Sequence, residues 1–349
     1  MRTAIEMPTL RTHRDSTRSP VIQGSPSFDW VMTALSALWV GGLFLDGWAH
    51  THGRVDDTFF TPWHAALYGG WLAVAGALLG VAGNNLLHGA RDRRILPDGH
   101  GLSLLGVALW VVGGPFDFAW HEIFGFEADV EALMSPAHTV LALGMALAVS
   151  GPARAGLRRP GPASWWARLP LVLSVTLVVC VLTFFTQIAH PLANLWARGP
   201  AGGSGDSVEL GLVSFLLTSA ILAGALLLLV RAGSLPAGGA ALMLAVNSLS
   251  MGVVYDQGDY PLVPALALAA SGVLADLVRA ALRPASDRPA AARGFAFAAP
   301  ALFTLCYFAA LAVTDGIAWS AHLWLGTVVF AGLAGWLLSY LSFPPRRAA

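Results

Sequence analysis

The sequence predicts an all-α fold, a polytopic integral membrane bundle of about ten transmembrane helices arranged as repeated helical hairpins. Three observations predict it. Hydrophobic residues make up 56% of the 349 residues and charged residues only 11%, under half of the roughly 25% that soluble domains carry. Long apolar runs recur along the whole chain. The basic residues, which are all arginine, collect in alternate connections between those runs.

Each predicted span is an apolar run close to the roughly 20 residues that an α-helix needs to cross a bilayer. The fourth, seventh and eighth runs are the shortest or the least separated, so counts of eight or nine spans remain alternatives. The predicted spans are residues 30–50, 62–88, 102–124, 136–153, 169–190, 208–231, 238–256, 260–282, 294–314 and 319–343.

The arginines also predict orientation and domain organisation. With ten spans, eighteen of the twenty arginines fall on one side, and only Arg54 and Arg198 lie opposite. Because short loops rich in basic residues stay in the cytoplasm, both termini are predicted to be cytoplasmic. Arginine without lysine, with abundant Ala and Gly, indicates bacterial coding bias and hence the bacterial cytoplasmic (inner or plasma) membrane. Residues 1–28 are predicted to be a disordered basic cytoplasmic arm, residues 29–343 a single transmembrane domain, and residues 344–349 a cytoplasmic tail.

Two predicted hairpins repeat one motif. The first reads FLDGWAH over 44–50 and FTPWHAALYGG over 60–70, and the second reads PFDFAWH over 115–121 and MSPAHTVLALG over 134–144. Both contain Asp, three residues and His, followed later by a hydroxyl residue, Pro, one residue and a second His. Weaker echoes in later connections suggest five such hairpins. Repeats in membrane proteins commonly form a shared site where they meet.

The repeated residues form two candidate metal triads near the non-cytoplasmic helix ends. Asp and His four residues apart share one helical face, and Pro suits the first turn of a helix, so the second His begins the returning helix. A charged residue inside the membrane costs at least about 2.5 kcal/mol, which a divalent cation would offset. Imidazole nitrogen and carboxylate oxygen are ordinary ligands for copper, iron and zinc. The first triad is Asp46, His50 and His64, and the second triad is Asp117, His121 and His138.

Further residues are candidates for roles around these triads. His190 and His322 are candidate additional ligands that would complete one site or join two metals, and Glu122 is a candidate catalytic proton acceptor. His100 is predicted to be cytoplasmic and without a special role. The alternative interpretation of each Asp–His pair is a hydrogen-bonded pair that caps a helix end, where His also suits the helix dipole.

The motif resembles the metal-ligand pattern in the C subunit of particulate methane and ammonia monooxygenases. In that family, Asp and His on one helix and His on the next bind copper inside the membrane, so the resemblance implies copper at both triads. It covers only these motifs, under a tenth of the chain. Thirteen residues separate the two His of the first triad and sixteen those of the second. Ten spans, a duplicated motif and the lack of a soluble cupredoxin-like region depart from that complex.

The sequence therefore predicts a membrane metalloprotein, with a copper- or iron-dependent oxidoreductase acting on a small lipophilic substrate favoured. Zinc would instead favour hydrolysis. The alternatives are a metal-ion or proton transporter or chaperone, a haem-binding protein, and a structural subunit of a membrane complex. Expected partners are membrane lipid, the lipophilic substrate and further copies or other subunits. The sequence contains no CxxC pair, no phosphate-binding glycine loop and no nucleic-acid patch.

Overall fold

The structure, a computed structural model, is a bundle of α-helices with no β-strand among the residues it describes. The predicted all-α membrane bundle is thereby confirmed. Residues 1–23 and 345–349 lie outside the described residues, so the predicted arm and tail remain predictions. The structure describes residues 24–54, 60–92, 95–125, 133–159, 164–199, 205–255 and 261–344.

The helices follow the predicted spans in order. They are α1 (Pro26–Thr51), α2 (Pro62–Leu87), α3 (Gly101–Phe124), α4 (Pro136–Val149), α5 (Gly151–Arg158), α6 (Trp165–Phe185), α7 (Pro191–Asn194), α8 (Gly205–Arg231), α9 (Gly239–Val254), α10 (Leu262–Leu282), α11 (Pro289–Val313) and α12 (Ala321–Ser342). Helices α4 and α5 follow one another directly and together make one apolar span. A 3-10 turn, Gln187–Ala189, precedes the short helix α7.

Nine spans within the described ranges are long and apolar enough to cross a membrane, which makes the chain a multi-pass membrane protein. The seventh predicted span, α9, is apolar but has only 16 residues. It rises about 24 Å, less than the roughly 30 Å of a bilayer core. Whether the chain crosses nine or ten times therefore depends on α9, and the orientation of the termini stays a prediction.

Glycines bring the two helices of each motif-bearing hairpin close together. A Cβ atom on Gly70 of α2 would lie 2.4 Å from the Cα atom of Trp39 in α1. A Cβ atom on Gly106 of α3 would lie 2.3 Å from the carbonyl oxygen of Gly144 in α4. Small residues at such contacts are typical of membrane helix pairs, because lipid already solvates apolar side chains and close packing must supply the attraction.

Helix α6 lies at the centre of the bundle and is the most buried span. It packs against α1, α4 and α5 on one side and against α8 and α9 on the other. The Asn247 side-chain amide of α9 donates a hydrogen bond to the Thr183 hydroxyl of α6 at 2.6 Å. The α1–α2 and α3–α4 hairpins therefore form one part of the bundle, which α6 connects to α8–α12.

Candidate metal centre

The first triad lies where α1 ends and α2 begins. Asp46 and His50 are one turn apart on α1, and the His50 Nε2 atom is 3.8 Å from Asp46 Oδ2. The hydroxyl of Thr61 caps α2 by accepting the backbone N–H of His64 at 3.1 Å, and Pro62 occupies the first turn. This cap sets the start of α2 and brings His64 Nε2 to 3.5 Å from Asp46 Oδ1.

The second triad has the same arrangement where α3 ends and α4 begins. The hydroxyl of Ser135 caps α4 by accepting the backbone N–H of His138 at 3.1 Å. The Nε2 atom of His121 is 3.6 Å from Asp117 Oδ1, and that of His138 is 3.3 Å from the same oxygen. In each triad, one ligand atom from every residue lies within 4.8 Å of the other two. The six predicted ligands are thus brought together as two groups of three.

The spacing within each triad is wider than that of a close hydrogen-bonded helix cap. The four imidazole–carboxylate distances lie between 3.3 and 3.8 Å, longer than an ordinary N–H···O hydrogen bond of about 2.7–3.2 Å. Asp46 Oδ1 and Asp117 Oδ1 are buried and accept no hydrogen bond from the part of the chain that the structure describes. Two ligand atoms that are each about 2.1 Å from a tetrahedral ion lie about 3.4 Å apart. The spacing therefore fits a cation between the ligands.

Hydrogen bonds orient two imidazoles of the second triad. The Nδ1 atom of His121 lies 3.3 Å from the backbone carbonyl oxygen of Gly125, to which it donates in the Nδ1–H tautomer. The Nδ1 atom of His138 lies 2.9 Å from the Ser135 hydroxyl. In the Nδ1–H tautomer, which both contacts allow, the Nε2 lone pair of each ring faces the carboxylate. Metal-binding histidines commonly have such a partner at the second ring nitrogen.

The carboxylates are buried more deeply than most of the imidazoles. The side chains of Asp46 and Asp117 are 13% and 6% exposed, whereas that of His50 is 44% exposed. Among the described residues, no arginine forms an ion pair with either carboxylate; the arginine ion pairs join other acids. Positive charge near these acids must therefore come from protonated imidazole or from a bound cation.

The remaining predicted site residues lie outside both triads. His322 is exposed at the second position of α12, and Glu122 is exposed beside His121. His190 is buried, and its Nδ1 atom accepts the backbone N–H of Leu192 at the start of α7. Neither His190 nor His322 joins the two groups of ligand atoms found among the described residues.

The burial of His190 predicts a pH dependence of stability. Burial lowers its pKa from 6.5 to about 3. Between these two values the unfolded chain binds a proton that the folded chain does not, so stability falls as the pH falls from 6.5, by at most about 1.4 kcal/mol per pH unit. Replacing His190 by Asn, which also caps helices, is expected to recover about 2 kcal/mol of the loss at pH 5. Thermal unfolding in detergent at pH 7 and pH 5 measures this change.

The exposed His322 provides the control for this substitution. His322→Asn removes the same ring but should leave the pH slope of the wild type unchanged. A His190→Asn variant that loses as much stability as the wild type between pH 7 and pH 5 would contradict the argument.

Sequence reasoning missed a buried ionic cluster at the other end of α1. Asp29 and His100 are 1% and 0% exposed, and His100 Nε2 lies 3.2 Å from Asp29 Oδ1. The guanidinium of Arg159 pairs with Asp29 Oδ2. His100, which was predicted to have no special role, is therefore a buried member of this cluster. The only signal in the sequence was an acid next to the first apolar run, since the partners are distant along the chain.

Comparison of the chain with protein-family models, with curated proteins and with solved structures finds no match.

Proposed function

We propose that this membrane protein is a metalloprotein that binds a divalent transition-metal ion at each of the two triads, and that it uses these ions in catalysis. The observation that carries the proposal is the spacing of the triads. Each has a buried carboxylate oxygen without a hydrogen-bond donor among the described residues, and two imidazole nitrogens at the distances that shared coordination requires.

The donor set favours iron, copper or zinc. Two imidazoles and one carboxylate with open coordination positions are typical of non-haem iron(II) oxygenases, and zinc hydrolases use similar sets. Neither cysteine belongs to the two groups of candidate ligands, which disfavours a soft copper(I) thiolate site. Iron or copper would supply redox chemistry, and zinc would supply an activated water.

The number of protein ligands supports an enzyme over a structural site. Structural zinc sites usually have four protein ligands, whereas catalytic sites have three and keep a position for water or substrate. Each triad supplies three, and the 44% exposure of His50 leaves the first one accessible. A transporter would need polar groups that continue through the membrane, and between His64 and Asn84 the polar groups on α2 side chains are those of Tyr68 and Trp71 alone.

Apolar side chains beside the triads support a lipophilic substrate. Phe60, just before the cap of α2, is 82% exposed. Phe118, next to Asp117, is 39% exposed, and the two rings lie 6.4 Å apart. Ile123 and Phe124 at the end of α3 are also exposed. Such a surface favours small apolar molecules that partition into lipid, and we propose that the reaction oxidises one of them.

Element-resolved metal analysis of the detergent-purified chain tests the proposal. We expect two ions per chain in the wild type and none in His50→Ala/His121→Ala, because each substitution removes one of three ligands. The matched control is His52→Ala/His88→Ala, which removes two imidazoles from the C-terminal caps of α1 and α2 and should keep both ions. Equal, sub-stoichiometric metal in the wild type and the triad variant would refute metal binding.

The identity of the retained metal then separates the reaction classes. Iron or copper supports oxidation, and the metal-loaded protein in lipid should consume dioxygen when a lipophilic substrate is added, whereas the metal-free protein should not. Zinc retained in place of a redox metal would overturn the oxidation and point to hydrolysis.

A further inference from the structure

Tyr68 lies between the two hairpins that carry the triads. It is on α2 one turn after His64, and the two ring centroids are 6.5 Å apart. Its hydroxyl reaches α3, where a Cβ atom on Gly114 would lie only 3.2 Å from the oxygen. Gly114 is three residues before Asp117 on the same helix. One tyrosine side chain therefore spans the space from the first triad to the helix of the second.

Aromatic contacts fix the two hairpins on either side of this tyrosine. Below it, the Tyr68 ring packs on Trp110 of α3 at 5.6 Å, and Trp110 packs on Trp39 of α1 at 4.8 Å. Nearer the helix ends, Phe60 packs against Phe118 at 6.4 Å. Contacts on both sides of Tyr68 hold α2 against α3, so the separation of the two triads is set by side-chain packing.

The charged groups of the two triads lie within range of each other. The Asp46 carboxylate interacts electrostatically with Asp117 and His138 of the second triad. His50 likewise interacts with His121 and His138. The Tyr68 hydroxyl interacts electrostatically with both carboxylates, Asp46 and Asp117. Two cations bound in these triads would therefore interact electrostatically as well.

We infer that the two triads form one bimetallic centre, in which two transition-metal ions lie close enough to interact, with Tyr68 between them. This inference rests on the proposed function, because it requires that each triad binds an ion. It adds that the ions act as a pair: a substrate that enters beside Phe60 and Phe118 meets both metals. The two alternative arrangements are two independent metal sites and a single ion shared by all six ligands.

Electron paramagnetic resonance of the full chain loaded with copper(II) alone distinguishes these arrangements. We expect two copper ions per chain, with a spectrum broadened by spin–spin interaction and a half-field signal from the pair. Loading with copper(II) diluted in excess zinc(II) should remove most of the half-field signal, because few chains then hold two paramagnetic ions. This dilution control needs no substitution and so does not depend on how a variant folds.

Single-triad variants provide the second measurement. His50→Ala and His121→Ala should each bind one copper ion and lose the half-field signal completely. Two copper ions per chain in the copper-only wild type, without spin–spin broadening or a half-field signal, would overturn the bimetallic centre. That result would leave the proposed function intact. A single ion in the wild type would overturn it in favour of a shared site. An absence of bound copper would overturn this inference together with the proposed metal site.

Discussion

Replacing Asp117 by Asn is expected to lower the metal content from two ions to one per chain, and to stabilise the metal-free protein. The amide has the shape of the carboxylate but neither its charge nor its affinity for a cation. In the metal-free protein, the Asp117 carboxylate is 6% exposed and its Oδ1 atom accepts no hydrogen bond from the described residues. Removing this buried carboxylate, which no arginine of the described residues pairs with, should stabilise the fold by about 1–3 kcal/mol.

Thermal unfolding with a chelator and with excess metal measures both effects. Metal at 100 times its dissociation constant adds about 2.7 kcal/mol for each site that only the folded state has, so Asp117→Asn should gain about half as much as the wild type. The control Asp315→Asn alters a surface ion pair with Arg198 and should change neither value appreciably. A variant that is less stable without metal, yet still binds two ions, would show that Asp117 has a structural role only.

Replacing Arg159 by Ala is expected to destabilise the protein by about 2–3 kcal/mol. Arg159 is the arginine that pairs with Asp29, whose side chain is 1% exposed and whose other described partner is His100. Without the guanidinium, the buried carboxylate loses its permanently charged partner. Since Arg159 itself is 31% exposed, we expect less than the full cost of breaking a buried pair.

Denaturant unfolding in detergent micelles provides the measurement, and Arg158→Ala is the matched control because Arg158 is the exposed neighbour. The double variant Asp29→Asn/Arg159→Ala should recover part of the loss, since it also removes the buried charge. Equal stabilities of Arg159→Ala and Arg158→Ala would mean that the ion pair contributes nothing measurable.

The fold was predictable because lipid imposes simple rules on sequence. A span must be long and apolar, and its start is often marked by a hydroxyl residue followed by proline, as at Thr61 and Ser135. Both rules are local, so they can be applied without knowing the partners of a helix. Helix α9 shows the limit of these rules. A span was predicted over residues 238–256, whereas the helix has only 16 residues, Gly239–Val254.

The candidate site was predictable only where its residues are local in sequence. Asp46 and His50, and likewise Asp117 and His121, are one turn apart, and a cap fixes the third residue of each triad. The sequence assigned the six ligands to two triads, but it could not show the distances between their ligand atoms or between the two triads. Asp29 and His100 are 71 positions apart, and only the folding of the chain brings them together.

The capping residues also make each triad insensitive to the length of the connecting loop. Thirteen residues separate the two histidines in one hairpin and sixteen in the other, yet both returning helices start with the histidine at the same position after the hydroxyl cap. The loop between the two histidines therefore only has to be long enough to connect the two helices of the hairpin. An epitope or a small reporter domain inserted there should leave the ligands in register, which offers a way to label this face of the protein in living cells.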